Sequence, residues 1–329
     1  MWRTELTGNS SGRMRLTVLG GFLGSGKTTW LRHQLHHGLF EDAFVVVNEA
    51  AETPVDDALL AKSAQLAVLA GGCACCDGKA DLVALLRKIC DDRSRTDSRG
   101  SRLERIVLET SGLADPGPIA EAIRDDPVLV HHIVVGEIVA TVDALHALSQ
   151  LRGEPLGRRQ IETADRLIVT RVDEADETEL TRLLATLRRL NPGAAISGAI
   201  RGSQAPLPPF EGVEPESLSD LANAADRPPI FPAKLVIDET IDWTAFSVWL
   251  SALLHARGDD VLRVKGVVRT SAGRLLVQSV RRIVQSPEIL PEQTSGPERE
   301  DGVIAVIGRG YREEDLRRSL RYFAGAGRT

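Results

Sequence analysis

Residues 20–29, with the sequence GGFLGSGKTT, match the spacing G-x-x-x-x-G-K-[ST] of a phosphate-binding loop. A buried strand is predicted before this loop and a short helix after it, which is the context that a chance match would lack. We expect Lys27 to reach the β- and γ-phosphate oxygens and the Thr28 hydroxyl to ligate Mg²⁺. A glycine-rich turn with an incidental lysine is the alternative, but the flanking elements favour a nucleoside triphosphate site. The expected phosphate-binding residues are Gly24, Ser25, Gly26, Lys27, Thr28 and Thr29.

Carboxylates at two further positions could act on the same nucleotide. Glu109 follows the apolar run at 103–108 and is expected at a strand end, where it can hold Mg²⁺ through water and serve catalysis. Gly112 is expected to sense the γ-phosphate through its N–H group. The loop at 47–56 carries several carboxylates and is predicted to be a switch loop, with Asp56 as a candidate catalytic residue. A carboxylate that caps a turn and a solvated acidic loop are the respective alternatives.

The tetrapeptide Thr170-Arg171-Val172-Asp173 has residue types that can recognise a guanine base. It follows a predicted strand, at the place where guanine-specific NTPases carry N/T-K-x-D. Asp173 is expected to accept hydrogen bonds from guanine N1–H and the exocyclic amine, which adenine cannot supply. Arg171 stands where lysine is usual, and its planar guanidinium can also stack on a base. The tetrapeptide alone is weak evidence, but its distance from the phosphate loop supports GTP as the ligand.

Three of the 4 cysteines are crowded together as Cys73, Cys75 and Cys76. Thiolates at this spacing suit Zn²⁺ or another late divalent metal. They leave one tetrahedral position open, for which Glu49 is the first candidate, with a histidine or a partner's ligand as other options. Small buried residues at a helix start are the alternative. The two preceding glycines and the scarcity of cysteine elsewhere favour a metal site.

The predicted elements alternate along the chain in a way that would position these residues. Apolar runs separated by helical patterns predict a mostly parallel sheet covered on both faces, an α/β fold of the P-loop NTPase class. Ligands then lie at the carboxyl ends of the strands. The predicted organisation is a disordered lead-in at 1–13, a P-loop GTPase domain at 14–200, a proline-rich linker at 201–232 and a smaller C-terminal α+β domain at 233–329.

Composition limits the classes of function. The net charge of −6 over 329 residues argues against a nucleic-acid-binding surface. No apolar run approaches the ~20 residues needed to cross a bilayer, so no membrane partner is expected. The N-terminal stretch is polar and lacks the apolar segment of a signal peptide. Together with thiols that suit a reducing compartment, these features predict a cytoplasmic location.

The motifs together resemble one family, the CobW-type GTPases, a branch of the SIMIBI P-loop proteins. The resemblance covers nearly the whole chain, and the cysteine motif beside the phosphate loop makes it specific. It implies GTP hydrolysis coupled to the binding and delivery of a metal to a client metalloprotein, commonly zinc and in some members cobalt or iron. The segments that are similar to the family's motifs are 20–29, 47–52, 72–76, 109–116, 170–173, 262–266 and 306–309.

The chain also departs from the family's pattern. Ala50 and Ala51 stand where many relatives have Phe-Gly, which puts the mechanics of the switch loop in doubt. Arg171 replaces lysine in the base reader. The C-terminal module carries arginines where relatives often have histidine, and the 7 histidines form no His-rich tract, so a store of several metal ions is not expected. His146 resembles an accessory metal position of some relatives, although a lone surface histidine is the preferred interpretation.

Three hypotheses follow from the sequence. The leading one is a GTPase metallochaperone or metalloenzyme activator, in which metal and nucleotide affinities are reciprocally linked. A metal-sensing adaptor with little turnover, whose bound nucleotide governs partner docking, is the second. A P-loop kinase of small molecules is disfavoured, because nothing resembles a lid over a phosphoacceptor. The client, the physiological metal and nucleotide-dependent homodimerisation stay open.

Overall fold

The computed structural model describes residues 12–40, 42–49, 65–70, 78–96, 103–218, 230–237, 242–258, 260–271, 273–290 and 302–326. The chain divides into two compact units, one formed by Met14–Arg227 and the other by Met1–Arg13 together with Pro228–Thr329. No helix in the described ranges combines the length and the apolar character needed to traverse a lipid bilayer.

The first unit alternates strands and helices along the chain. Its strands are β1 (Met14–Gly21), β2 (Ala43–Glu49), β3 (Gln65–Ala70), β4 (Arg105–Glu109), β5 (Ile133–Asp143), β6 (Arg166–Thr170), β7 (Ala195–Ile200) and β8 (Ser203–Ala205). Its helices in the described residues are α1 (Lys27–His36), α2 (Lys79–Thr96), α3 (Pro116–Asp125), α4 (Leu129–His132), α5 (Ala147–Gly153), α6 (Pro155–Thr163) and α7 (Glu177–Leu190).

These strands form one sheet in the order β3-β2-β4-β1-β5-β6-β7-β8, parallel except for β8 against β7. Consecutive residues of a strand point to opposite faces, and Val107 and Leu108 of β4, like Ile138 and Val139 of β5, are buried, as expected for a parallel sheet that helices cover. The predicted α/β fold is confirmed. Because β4 and β5 flank β1, their carboxyl ends lie beside the end of β1. Leu19 pairs with Glu109, and Gly21 pairs with Thr141.

Helix boundaries follow local capping chemistry. Asp115 accepts a hydrogen bond from Gly117 N at 3.0 Å and precedes a proline at the first helical position, so α3 begins immediately after the segment that follows Glu109. Asp176 accepts from the N–H groups of Thr178 and Glu179 and starts α7. The buried residues of α7 include four leucines that form its apolar face: Leu180, Leu183, Leu184 and Leu187.

The second unit, over its described residues, is an antiparallel sheet with two helices. Its elements are β9 (Ile230–Val236), α8 (Trp243–Arg257), β10 (Val261–Thr270), β11 (Gly273–Val280), β12 (Ile283–Val284), β13 (Glu288–Leu290), β14 (Val303–Arg309) and α9 (Glu313–Ala326). The strand order is β12-β11-β10-β14-β9, with β13 paired to β11. Phe246, Trp249 and Leu250 of α8 are buried in the core. Trp249 Nε1 also donates to Ser319 Oγ of α9 at 2.7 Å, which joins the two helices.

The start of the predicted linker contacts the first unit. Strand β8 lies within it and pairs with β7. Further on, Glu216 N donates to Thr186 Oγ1 at 2.8 Å, and the Glu216 carboxylate pairs with Arg152. Residues 219–229 lie outside the described residues, as does all of the predicted lead-in except residues 12 and 13. The domain boundaries stay predictions.

Candidate nucleotide-binding site

The loop between β1 and α1 presents a helix N-terminus at the carboxyl edge of the sheet. Gly26 precedes the helix with φ 85°, in the left-handed region that favours glycine, and no side chain caps the helix. The first N–H groups of α1 are therefore available to an anion. Ser25 Oγ donates to Phe22 O at 2.7 Å and lies 2.6 Å from Thr141 Oγ1 of β5. These bonds hold the loop against the neighbouring strand.

Lys27 is folded onto the loop rather than extended from it. Its Nζ donates to Gly21 O at 3.0 Å and to Phe22 O at 3.1 Å, and only 8% of the residue is exposed. Burial lowers the pKa of this ammonium, and the nearby Glu109 carboxylate opposes that shift. A phosphate oxygen would give the buried ammonium a charged partner in place of two neutral carbonyls.

Thr28 and Glu109 meet although they are far apart in sequence. Thr28 Oγ1 donates to Glu109 Oε1 at 2.5 Å, and Glu109 is 4% exposed at the end of β4. A hydroxyl and a carboxylate at this edge are hard oxygen donors, which is the chemistry that Mg²⁺ requires. The pair fits the expected magnesium site.

Gly112 lies directly against the phosphate loop. A Cβ atom built at Gly112 would be 2.5 Å from Leu23 N and 2.6 Å from Leu23 Cα, so no other residue fits without moving the backbone. Gln160 of α6 donates to Gly112 O at 3.3 Å and to Ala114 O at 2.8 Å. The segment after β4 is thereby held between the loop and α6.

The predicted base-recognition segment contacts the loop from the other side. Thr170 Oγ1 donates to Ser25 O at 3.0 Å. Arg171 has φ 57°, donates to Gly24 O at 3.1 Å and forms an ion pair with Asp143. Asp173 is exposed. The structure brings the segment to the site, and the roles expected for Arg171 and Asp173 in base recognition stay predictions.

Two residues of the site, Asp143 and Gln160, were not predicted from the sequence. Asp143 ends β5, is 2% exposed, and also lies 2.7 Å from His146 Nδ1. The rule that identified Glu109, an acidic residue at the end of a predicted strand, would also have identified Asp143. No comparable signal marks Gln160, because its role depends on how α6 packs.

The predicted thiolate site is not among the described residues. Asp56, Cys73, Cys75 and Cys76 all lie outside them, and for Glu49 only the backbone at the end of β2 is described. Within the ranges given above, no group of three or more His, Cys, Asp or Glu side chains could hold a metal ion.

A phosphate loop at the end of β1, with Glu109 on one side and the Arg171 segment on the other, defines the class of protein: a P-loop nucleotide-binding protein with a parallel sheet. Residues 15–197 match the CobW/HypB/UreG nucleotide-binding domain family, and residues 234–324 match the cobalamin synthesis protein CobW C-terminal domain. The chain therefore belongs to the CobW family.

Named relatives are similar to this chain over both of its units. The chain is 29% identical to the zinc chaperone YjiA of Escherichia coli over 94% of its own length and 98% of that protein. It is 29% identical to the zinc chaperone CobW of Pseudomonas aeruginosa, with 82% of this chain and 80% of that protein covered. The crystal structure of Zn(II)-bound YjiA GTPase from E. coli has a TM-score of 0.59 with 26% identity, covering 94% of this chain and 99% of that one.

Proposed function

We propose that this protein is a GTP-hydrolysing metallochaperone that binds a divalent metal, most readily zinc, and delivers it to a client metalloprotein or activates that client. The observation that carries the proposal is the Thr28–Glu109 contact beside a helix N-terminus, in a chain whose similarity to named zinc chaperones spans both units. The proposed setting is the cytoplasm.

In the proposed reaction Lys27 exchanges its bonds to the loop carbonyls for oxygens of the β- and γ-phosphates, where it balances negative charge. Thr28 and Glu109 would hold Mg²⁺, which supplies charge neutralisation at the phosphates when bound. The Gly112 N–H contacts the γ-phosphate, and Asp56 is the proposed second catalytic carboxylate. The guanine base binds between Arg171 and Asp173.

The metal is cargo in this proposal. Cys73, Cys75 and Cys76 bind it as thiolates, with Glu49 as the fourth ligand, a donor set that suits Zn²⁺ and accepts Co²⁺ or Fe²⁺. Glu49 is the last residue of β2. Strand β2 pairs with β4, which carries Glu109. That pairing offers a short route between the magnesium site and the metal site.

Steady-state hydrolysis of GTP, with and without zinc, tests the proposal. Wild-type protein is expected to make multiple turnovers that zinc accelerates. Cys75→Ser/Cys76→Ser should keep basal turnover and lose the zinc-dependent part, whereas Lys27→Ala should lose all turnover. Single-turnover behaviour with zinc present would favour a nucleotide-dependent adaptor instead, and undiminished turnover in Lys27→Ala would rule out the phosphate loop as the active site.

A further inference from the structure

The last turn of α1 carries an imidazole pair that the proposed function does not use. Three of the 7 histidines are His33, His36 and His37, and residues four apart on a helix share one face. His33 Nε2 and His37 Nε2 are 3.0 Å apart. Ser203 Oγ, at the start of β8, lies 2.8 Å from His33 Nε2. His33 Nε2 therefore has a second imidazole nitrogen and a hydroxyl oxygen within 3.0 Å of it.

The distance between the two nitrogens suits a shared metal ion. Imidazole nitrogens bind zinc at about 2.0–2.1 Å, so two of them at the tetrahedral angle are about 3.3 Å apart. The two nitrogens, which are 3.0 Å apart, would have to move only slightly further apart to bind one zinc ion. Without a metal, an N–H group of one imidazole can donate to the other ring at this distance.

The electrostatic setting suits a bound cation. The pair lies at the C-terminal end of α1, where the helix dipole attracts positive charge.

The third donor is held in place by packing. Gln34 Nε2 donates to Gly202 O at 2.9 Å, and a Cβ atom at Gly202 would be 2.3 Å from His33 Cβ. The turn between β7 and β8 is therefore in close contact with the end of α1. Ser203 reaches His33 from a rigid neighbour, so binding costs little reorganisation.

We propose that His33 and His37, with Ser203, form a binding site for one late divalent cation such as Zn²⁺, Ni²⁺ or Cu²⁺, separate from the cysteine motif. All three metals bind imidazole nitrogens. Cu²⁺ should bind more tightly than Ni²⁺ or Zn²⁺. The site goes beyond the proposed function and does not depend on it. A site for one ion is consistent with the expectation from the sequence that the chain does not store several metal ions.

The experiment uses the full chain with Cys73, Cys75 and Cys76 changed to serine, so that the thiolates do not compete. Zinc is titrated against a chromogenic chelator, and the copper-loaded protein is examined by electron paramagnetic resonance for nitrogen ligation. We expect one equivalent of zinc and two nitrogen ligands on copper. His37→Asn should weaken zinc binding at least about tenfold, because even partners outside the ligand set change metal affinity by about 10–100-fold.

His36→Asn is the matched control, since His36 is exposed on the same turn and outside the converging set. It should leave zinc affinity unchanged. His37 is exposed, so its replacement does not threaten the fold, and unchanged thermal unfolding verifies this. Failure of the protein without Cys73, Cys75 and Cys76 to bind zinc, equal affinity in His37→Asn, or equal losses in His36→Asn and His37→Asn would each overturn the site. None of these results bears on the cysteine motif, which is absent from every variant tested.

Discussion

At the scale of single residues, Arg171 links the two ends of the nucleotide site. Its guanidinium donates to Gly24 O in the phosphate loop and pairs with the buried Asp143 at the end of β5. A planar, permanently charged group can hold both partners at once, which a lysine ammonium does with less geometric control. Arg171, which stands where lysine is usual, therefore makes a contact that suits its guanidinium, the ion pair with Asp143.

Asp173 is predicted to set the preference of the site for guanine. Wild-type protein should bind GTP in preference to ATP, and Asp173→Asn should reduce that preference, because an amide cannot accept both guanine hydrogen bonds. Loss of such paired contacts costs about 1–3 kcal/mol. Fluorescence titrations with both nucleotides give the measurement. Glu174→Gln, also exposed and next in sequence, is the control that should keep the preference. Equal affinity of wild-type protein for GTP and ATP would contradict the assignment.

The sequence predicted individual site residues where a local rule applied. The phosphate loop follows from its own spacing, and Glu109 follows from its place after an apolar run. The bonds of Lys27 to Gly21 and Phe22 could not be predicted, because they depend on how the loop folds back on itself. The Asp143–Arg171 pair was likewise out of reach, since it requires β5 and β6 to be neighbours.

At the scale of elements, the segment after β4 is held between the phosphate loop and α6. Gly112 touches the backbone of Leu23, and Gln160 secures the carbonyls of Gly112 and Ala114. If the γ-phosphate binds at Gly112, as proposed, this contact connects it mechanically to the start of α3.

Gly112→Ala tests that contact. The added methyl would lie 2.5 Å from a backbone nitrogen, and overpacking of this kind costs about 1–3 kcal/mol. We expect a lower melting temperature and weaker GTP binding, measured by thermal unfolding with and without nucleotide. Gly153→Ala is the matched control, since a Cβ there meets nothing within 4 Å and should be neutral. Identical behaviour of the two variants would show that the segment is not pressed against the loop.

The elements themselves were largely predictable, with exceptions that have a physical cause. The long apolar strands and the leucine-rich α7 appear where periodicity indicated. Short elements such as β8, β12 and β13 carry too few residues for a periodic pattern. They exist because a neighbouring strand offers hydrogen bonds, which the sequence alone does not reveal.

At the scale of the whole molecule, Arg13 belongs to the second unit, although the next residue begins the first. Arg13 immediately precedes β1, yet its guanidinium donates to Ser286 O at 2.8 Å and to Pro287 O at 3.0 Å. Arg13 is 6% exposed. The lead-in predicted from the sequence therefore includes Arg13, which forms hydrogen bonds within the C-terminal unit.

Arg13→Ala should destabilise that unit locally. The two hydrogen bonds reach carbonyls of exposed residues, which water can solvate after the guanidinium is removed, so their loss costs about 1 kcal/mol. We expect faster amide hydrogen exchange in residues 273–290, followed by mass spectrometry, with exchange in β1 unchanged. Arg95→Ala, an exposed arginine of the first unit, serves as the control and should alter neither region. Unchanged exchange in 273–290 would show that Arg13 contributes nothing there.

We expect GTP to control the zinc affinity of the proposed site at Cys73, Cys75, Cys76 and Glu49. The most direct measurement is zinc affinity by competition with a chromogenic chelator, with GDP bound and with a non-hydrolysable GTP analogue bound. The account predicts different zinc affinities in the two states and, by linkage, the same factor in the effect of zinc on GTP affinity. Thiolate ligation also predicts that affinity falls as the pH is lowered. Identical zinc affinity in both nucleotide states would contradict the account.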